Sequence, residues 1–202
     1  MTSTRSIAFP PITRTDVFMI GTKRLWLRWP SLQDAPRLAR IGGDPLVARR
    51  TATWPEGASE AYCTERIERM RAANADGSSL AFAIVKAGAW NDALGLAGIA
   101  IAEDGVGKLG YHLAPAVWGQ GYATEAVTAL IAMTRLLVRM PAIRASVMPD
   151  NPASARVLVK AGFVPAGSGE ISTTFRGRIA VDHYERRLSP AFGTTAVEDA
   201  AA

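Results

Sequence analysis

A mixed α+β fold, with a mostly antiparallel central sheet of about seven strands and helices on both faces, is what this sequence predicts. Three observations carry that reading. Apolar segments of strand length follow one another across short turns between residues 80 and 113. The strongest helical pattern in the chain, from about residue 122, comes directly after a glycine-rich turn. A strand follows that helix, and a strand, helix, strand crossover requires its two strands to run parallel, so one parallel pair sits inside the antiparallel sheet.

Residues 23–29 (KRLWLRW) alternate charged or aromatic residues with leucines and stop at Pro30, as a half-buried first strand does. The domain is expected to run from 22 to 188, behind an N-terminal leader at 1–21 and ahead of a flexible tail at 189–202 that is rich in Gly, Thr and Ala. Ser31 can cap a helix over about 33–40, Asp44 and Pro45 open a short one, and Ser59 precedes a longer one in which Tyr62, Ile67 and Met70 recur at roughly helical spacing. Residues 80–86 and 94–101 read as a hairpin and 108–113 as the next strand. In the following helix Val127, Leu130, Ile131, Thr134 and Val138 share one face, which suits packing on a sheet. Residues 142–147 form the parallel strand, Asn151 and Pro152 start a helix that Gly162 ends, Phe163 begins a return strand, and 170–174 with 178–186 make a terminal hairpin.

Composition narrows the function classes. Hydrophobic residues at 49% and charged residues at 20% are ordinary for a packed single domain. Cys63 is the only cysteine, which excludes an intramolecular disulfide and a cysteine metal cluster, so no metal cofactor is expected and a reducing cytoplasm fits best. Residues 1–21 lack the apolar middle section of a secretory signal, with an organellar leader as the minor option, and no segment is apolar and long enough to imply a membrane. The net charge of +5 is scattered rather than clustered, so no nucleic-acid partner is expected.

The chemistry concentrates at residues 118–124 (WGQGYAT). A glycine-rich turn into a helix exposes unpaired N–H groups at the positive end of the helix dipole, and Gly119 and Gly121 let a bulky anion approach the main chain. The pattern is not a P-loop, because no lysine with serine or threonine follows the glycines, and not a dinucleotide fingerprint, because Thr124 stands where the third glycine belongs. Glu125, one residue on, complements the helix dipole but would repel phosphate, so it is expected to face away.

Together, residues 109–126 (LGYHLAPAVWGQGYATEA) and 151–163 (NPASARVLVKAGF) resemble the GNAT superfamily of N-acetyltransferases, and within it the subgroup that acetylates ribosomal-protein N termini. The similarity runs from KRLWLRW to VDHYERRL and so covers most of the chain. It implies acetyl-CoA as cosubstrate, held where the strands at 108–113 and 142–147 splay apart, with Trp118, Gly119, Gln120, Gly121, Tyr122, Ala123 and Thr124 as the pyrophosphate loop and Asn151 facing the pantetheine arm. Trp118 departs from the Gln or Arg usual in the family. It also implies that the Leu113 amide stabilises the oxyanion.

Many members use a tyrosine as general acid toward the thiolate; Leu158 occupies that position here, which leaves Ser154, one turn along the helix from Asn151, as the candidate. His112, Glu170 and Asp182 are the candidate bases, and Tyr111, Tyr122 and Tyr184 the candidate pocket walls. An α-amine, with pKa about 8, needs far less help to become neutral than a lysine at about 10.4. The missing tyrosine therefore favours a peptide N terminus or a small amine as acceptor, with residues 51–60 and 168–178 as its loops. The alternative is a catalytically weak CoA-binding sensor or interaction module. A monomer and a homodimer both suit this length.

Overall fold

The computed structural model describes residues 7–188. Eight strands form one sheet in the order β1-β2-β3-β4-β5-β6-β8-β7. They are β1 (Met19–Gly21), β2 (Leu25–Arg28), β3 (Ser79–Lys86), β4 (Ala93–Ile101), β5 (Gly107–Leu113), β6 (Ala142–Val147), β7 (Val164–Thr173) and β8 (Gly177–Arg187). Every pairing is antiparallel except β5 with β6. The helices are α1 (Ala35–Gly42), α2 (Pro45–Ala48), α3 (Glu60–Asp76), α4 (Tyr122–Leu137) and α5 (Pro152–Lys160).

Alternation along β3 explains the two-sided layering. Phe82 and Ile84 join the core that Leu130 and Ile131 of α4 and Leu158 of α5 complete, whereas Ala83 turns to the opposite face, with Leu38 of α1 and Cys63 and Ile67 of α3. Both faces of β3 and β4 are covered, so their residues are buried almost without interruption. Helix starts follow the expected caps: the Ser59 hydroxyl accepts from Tyr62 N at 3.1 Å and the Asn151 side chain from Ser154 N at 3.2 Å. No described helix is long and apolar enough to cross a membrane.

Two sequence expectations are corrected. The sheet begins before the expected boundary near Thr22, with β1 paired to β2, and Phe9 is fully buried in the core, so this part of the supposed leader belongs to the domain. Phe9 sits in a proline-rich stretch with no periodicity to announce it. The return strand after Phe163 and the first arm of the terminal hairpin are one strand, β7, broken only by an irregularity between Pro165 and Ser168 where Gly167 adopts φ +99°. Residues 1–6 and the expected tail at 189–202 lie outside the described residues.

A buried ion pair ties β2 to the turn before α1. Arg28 Nη1 and Nη2 donate to the two carboxylate oxygens of Asp34 at 2.8 and 2.7 Å, and the same guanidinium donates to the Trp29 and Trp90 carbonyls. Asp34 also accepts from the Ser31 amide at 2.8 Å. Nearly every polar atom of the pair is thereby engaged, which is the condition for an ion pair to survive burial.

Candidate active site

The parallel pair is a pair only at its base. Gly107 lies opposite Ile143 and Lys108 opposite Arg144, and beyond them β5 and β6 part. Each keeps its outer neighbour, since β5 stays in register with β4 up to Leu113 and β6 with β8 along its whole length. The alternation of antiparallel bonds then decides what faces the gap. Ala114 N donates to Leu94 O, so Leu94/Ala114 and Leu96/His112 are the bonded pairs, and the N–H and C=O groups of Tyr111 and Leu113 turn the other way, toward the departed β6. The Leu113 carbonyl accepts from Trp118 Nε1 at 2.8 Å, while its N–H points into the gap.

A cavity of about 550 Å³ lies over this gap, lined among others by Leu113, Trp118, Gly119, Gly121, Asn151 and Ser154. Tyr122, Ala123 and Thr124 line it as well. Gly119 and Gly121 have φ of +74° and +79°, a left-handed region that glycine enters freely. A Cβ on Gly119 would meet nothing within 4 Å, so open space lies beside the main chain at the start of α4, and an anion there finds unpaired N–H groups. Gln120 is the one predicted loop residue outside the cavity lining. Its side chain turns back to the Ala116 carbonyl, at 3.3 Å, and its own carbonyl accepts from Arg24 Nη1 at 3.0 Å.

Arg24 belongs to a clamp that holds the loop. Its Nε donates to Glu125 at 2.7 Å, its guanidinium carbon lies 4.5 Å from the Tyr122 ring centroid, and the Thr22 hydroxyl and Arg24 amide donate to the other Glu125 oxygen at 2.6 and 2.9 Å. Burial alone would raise the Glu125 pKa, but the hydrogen bonds from Thr22 and Arg24 outweigh it and hold the carboxyl below its usual value. Glu125 does face away from the loop, as its charge requires.

Asn151 caps α5 and lines the cavity. Leu158 is fully buried in the core, and its side chain, which has no proton to give, also lines the second cavity described below. The Ser154 hydroxyl lies 2.7 Å from the Tyr111 hydroxyl, which also donates to the Ser154 carbonyl at 3.1 Å. Burial pushes the Tyr111 phenol up to about 12, with its hydrogen bond to Ser154 offsetting only part of the shift. Tyr111 was readable from sequence only as a pocket wall, because nothing local shows that a strand residue reaches the helix 43 positions later.

On the other side of the gap lies a second cavity, of about 640 Å³, that shares Arg50, Tyr111, His112 and Ser154 with the first and is walled by Trp54 and Arg66. His112 is buried, its ring centroid is 4.9 Å from that of Trp54, and its Nε2 has no hydrogen-bond partner. Burial first, and the Arg66 charge second, lower its pKa to about 3. It is therefore a neutral imidazole and too weak a base to take a proton from an ammonium, which argues against the role expected of it. Glu170 and Asp182 are not brought to the gap. Glu170 pairs with Arg178 at 2.6 Å, and Asp182 accepts from the Ser168 hydroxyl at 2.6 Å.

The two expected acceptor loops meet. Arg176, in the β7–β8 turn, donates to the Arg49 and Thr51 carbonyls at 2.7 and 2.6 Å, and the Phe175 ring lies 6.0 Å from that of Tyr62.

A family model described as acetyltransferase (GNAT) domain matches residues 24–164. A curated relative, the uncharacterized N-acetyltransferase p20 of Bacillus licheniformis, is 29% identical over 165 residues, which cover 81% of this chain and 91% of that protein. Among solved structures, the microcin C7 self-immunity acetyltransferase MccE in complex with acetyl-CoA and AMP superposes with a TM-score of 0.71 at 18% identity, covering 83% of this chain and 94% of that one. The ribosomal L7/L12 α-N-protein acetyltransferase RimL in complex with coenzyme A gives 0.71 at 19% identity, covering 85% and 98%.

Proposed function

The chain belongs to the GNAT acetyltransferase domain family, and on that premise we propose that this acyl-CoA-dependent N-acetyltransferase moves the acetyl group of acetyl-CoA to an α-amine, that of a peptide N terminus or of a small molecule. The observation that supports this most is the gap between β5 and β6, over which a cavity at the start of α4 adjoins a second cavity through shared wall residues. The residues present suit the cosubstrate: open space beside Gly119 for a pyrophosphate, an inward N–H at Leu113, and a paired hydroxyl at Ser154. Bound acetyl-CoA supplies an activated thioester, whose acyl carbon takes the amine and whose sulfur leaves.

The Leu113 N–H donates to the carbonyl oxygen as negative charge develops on it. Ser154 donates a hydrogen bond to the sulfur as the C–S bond breaks, with the single Tyr111 proton turned from the Ser154 carbonyl to the Ser154 hydroxyl oxygen. A phenol with pKa about 12 stays protonated throughout the working range, so the pair steadies the thiolate, and the proton that ends on sulfur is the one lost by the amine. With acetyl-CoA and a panel of N-terminal peptides and small amines, acceptor-dependent thiol release is expected. Ser154→Ala and Tyr111→Phe should each lower kcat by about 10- to 100-fold, and the double variant by little more than either, because the two hydroxyls act as one unit. Tight acetyl-CoA binding with no turnover across the panel would instead favour a CoA-binding sensor.

With His112 neutral, the acceptor's own ionisation sets the pH dependence. The imidazole pKa of about 3 lies well below that of an α-amine, about 8, so the acceptor must arrive already neutral. The value of kcat/KM should rise with pH and level off above the acceptor's own pKa, and the midpoint should move down with less basic acceptors. A rise centred between pH 6 and 7 that disappears in His112→Asn would reinstate His112 as the base.

A further inference from the structure

We infer that the acceptor cavity selects amines carrying an anionic group, a carboxylate or a phosphate, close to the reacting nitrogen, and that Arg66 is the residue that reads it; the inference rests on the acetyltransferase reading of the same site. The walls of this cavity include Arg50, Arg66, Lys108 and Arg144 but only one carboxylate, Asp104. Arg144 is already neutralised, with Asp104 at 3.1 Å and Glu185 at 2.9 Å. Arg50, Arg66 and Lys108 form no ion pair among the described residues, whereas Arg49, which does not line the cavity, pairs with Glu56.

Arg66 is the best placed of the three. Its guanidinium lies over the Trp54 ring, 4.7 Å from the centroid, and is fixed by hydrogen bonds to the Thr53 carbonyl, the Thr53 hydroxyl and the Tyr62 hydroxyl. Those bonds use Nη1 and Nη2. The Nε is buried and has no hydrogen-bond partner, so the guanidinium is held by its two terminal nitrogens. His112 Nε2, also buried and without a partner, lies on the same Trp54 ring.

Three cations without a carboxylate partner among the described residues, on walls that hold a single carboxylate already paired to Arg144, describe a receptor for an oxyanion beside the amine. The same walls disfavour polycations: a polyamine would bring two or more positive charges against Arg50, Arg66 and Lys108. The uncompensated field is felt inside the protein as well, since the Arg66 charge helps keep His112 neutral.

The test compares kcat/KM for peptides that share the first residue and differ at the second, as Asp, phosphoserine, Asn or Lys. The acidic acceptors should exceed the Asn peptide by about tenfold or more at low salt, the advantage should shrink as ionic strength rises, and the Lys peptide should be poorest. The Asp and phosphoserine arms separate the two sources of charge. Arg66→Gln should bring the Asp-to-Asn ratio close to one, and Arg66→Lys should retain part of it. Because the salt dependence is read on the unmodified protein, it decides the preference for anionic acceptors even if the Arg66 variants fold poorly. Turnover with equal rates for all four peptides, or with the Lys peptide fastest, overturns the inference and leaves the acetyltransferase reading standing; absence of turnover with any amine overturns both.

Discussion

Gly121→Val is expected to weaken acetyl-CoA binding by at least about 100-fold, measured by isothermal titration, through loss of the helix-start amides that meet the pyrophosphate. At φ +79° an L side chain costs on the order of 1–2 kcal/mol, and a β-branched one more, so the main chain escapes by rotating its amides out of position. Steric clash in the protein itself is not the cause. A Cβ at this position meets only the end of the Arg24 side chain, at 3.5 Å. The variant should therefore stay folded, with far-ultraviolet circular dichroism unchanged, while binding collapses. An affinity within threefold of the parent's would mean that the amides of this loop do not hold the cosubstrate.

The largest effect on stability belongs to Asp34→Ala, expected to lower the unfolding free energy by about 3–5 kcal/mol in urea titrations. Arg28 and Asp34 are both buried, and removing the carboxylate leaves a guanidinium with two of its donors unsatisfied and no water to take their place. For a domain whose whole stability is about 5–15 kcal/mol, that is a large fraction. The exposed pair of Glu65 and Arg69, one turn apart on α3, supplies the contrast, and Glu65→Ala should change stability by less than about 0.5 kcal/mol. Replacing Arg28 and Asp34 together with apolar residues of similar volume should recover much of the loss, since the penalty comes from the orphaned charge rather than from the missing bond. A cost below about 1 kcal/mol for Asp34→Ala would show that water reaches the pair.

What was legible in the sequence is what short-range patterns encode. The cap at Ser59, the Asn151-Pro152 start of α5, the limits of β6 and the glycine turn into α4 are each written in a few consecutive residues, and the structure has them in place. The open space beside the main chain at Gly119 was legible for the same reason, because it is a feature of one loop. Contacts between distant segments were not. Ser154 was singled out for its place on a helix face, but its partner Tyr111 comes from another element, and no pattern in either segment announces the meeting. The Arg24 clamp on Glu125 spans 101 positions and was equally silent. His112 was chosen as a base from residue type and strand position, yet its basicity is set by burial and by Arg66, quantities that exist only once the chain has folded.

The fastening between the two loops bears on how such a site changes over time. Arg176 grips the main-chain carbonyls of Arg49 and Thr51 and asks nothing of their side chains. Residues 50–53 line the second cavity, and their side chains can therefore be exchanged without releasing the turn at Arg176. A lineage carrying this fastening is free to vary that lining one substitution at a time, because the fastening rests on the main chain and the lining on the side chains.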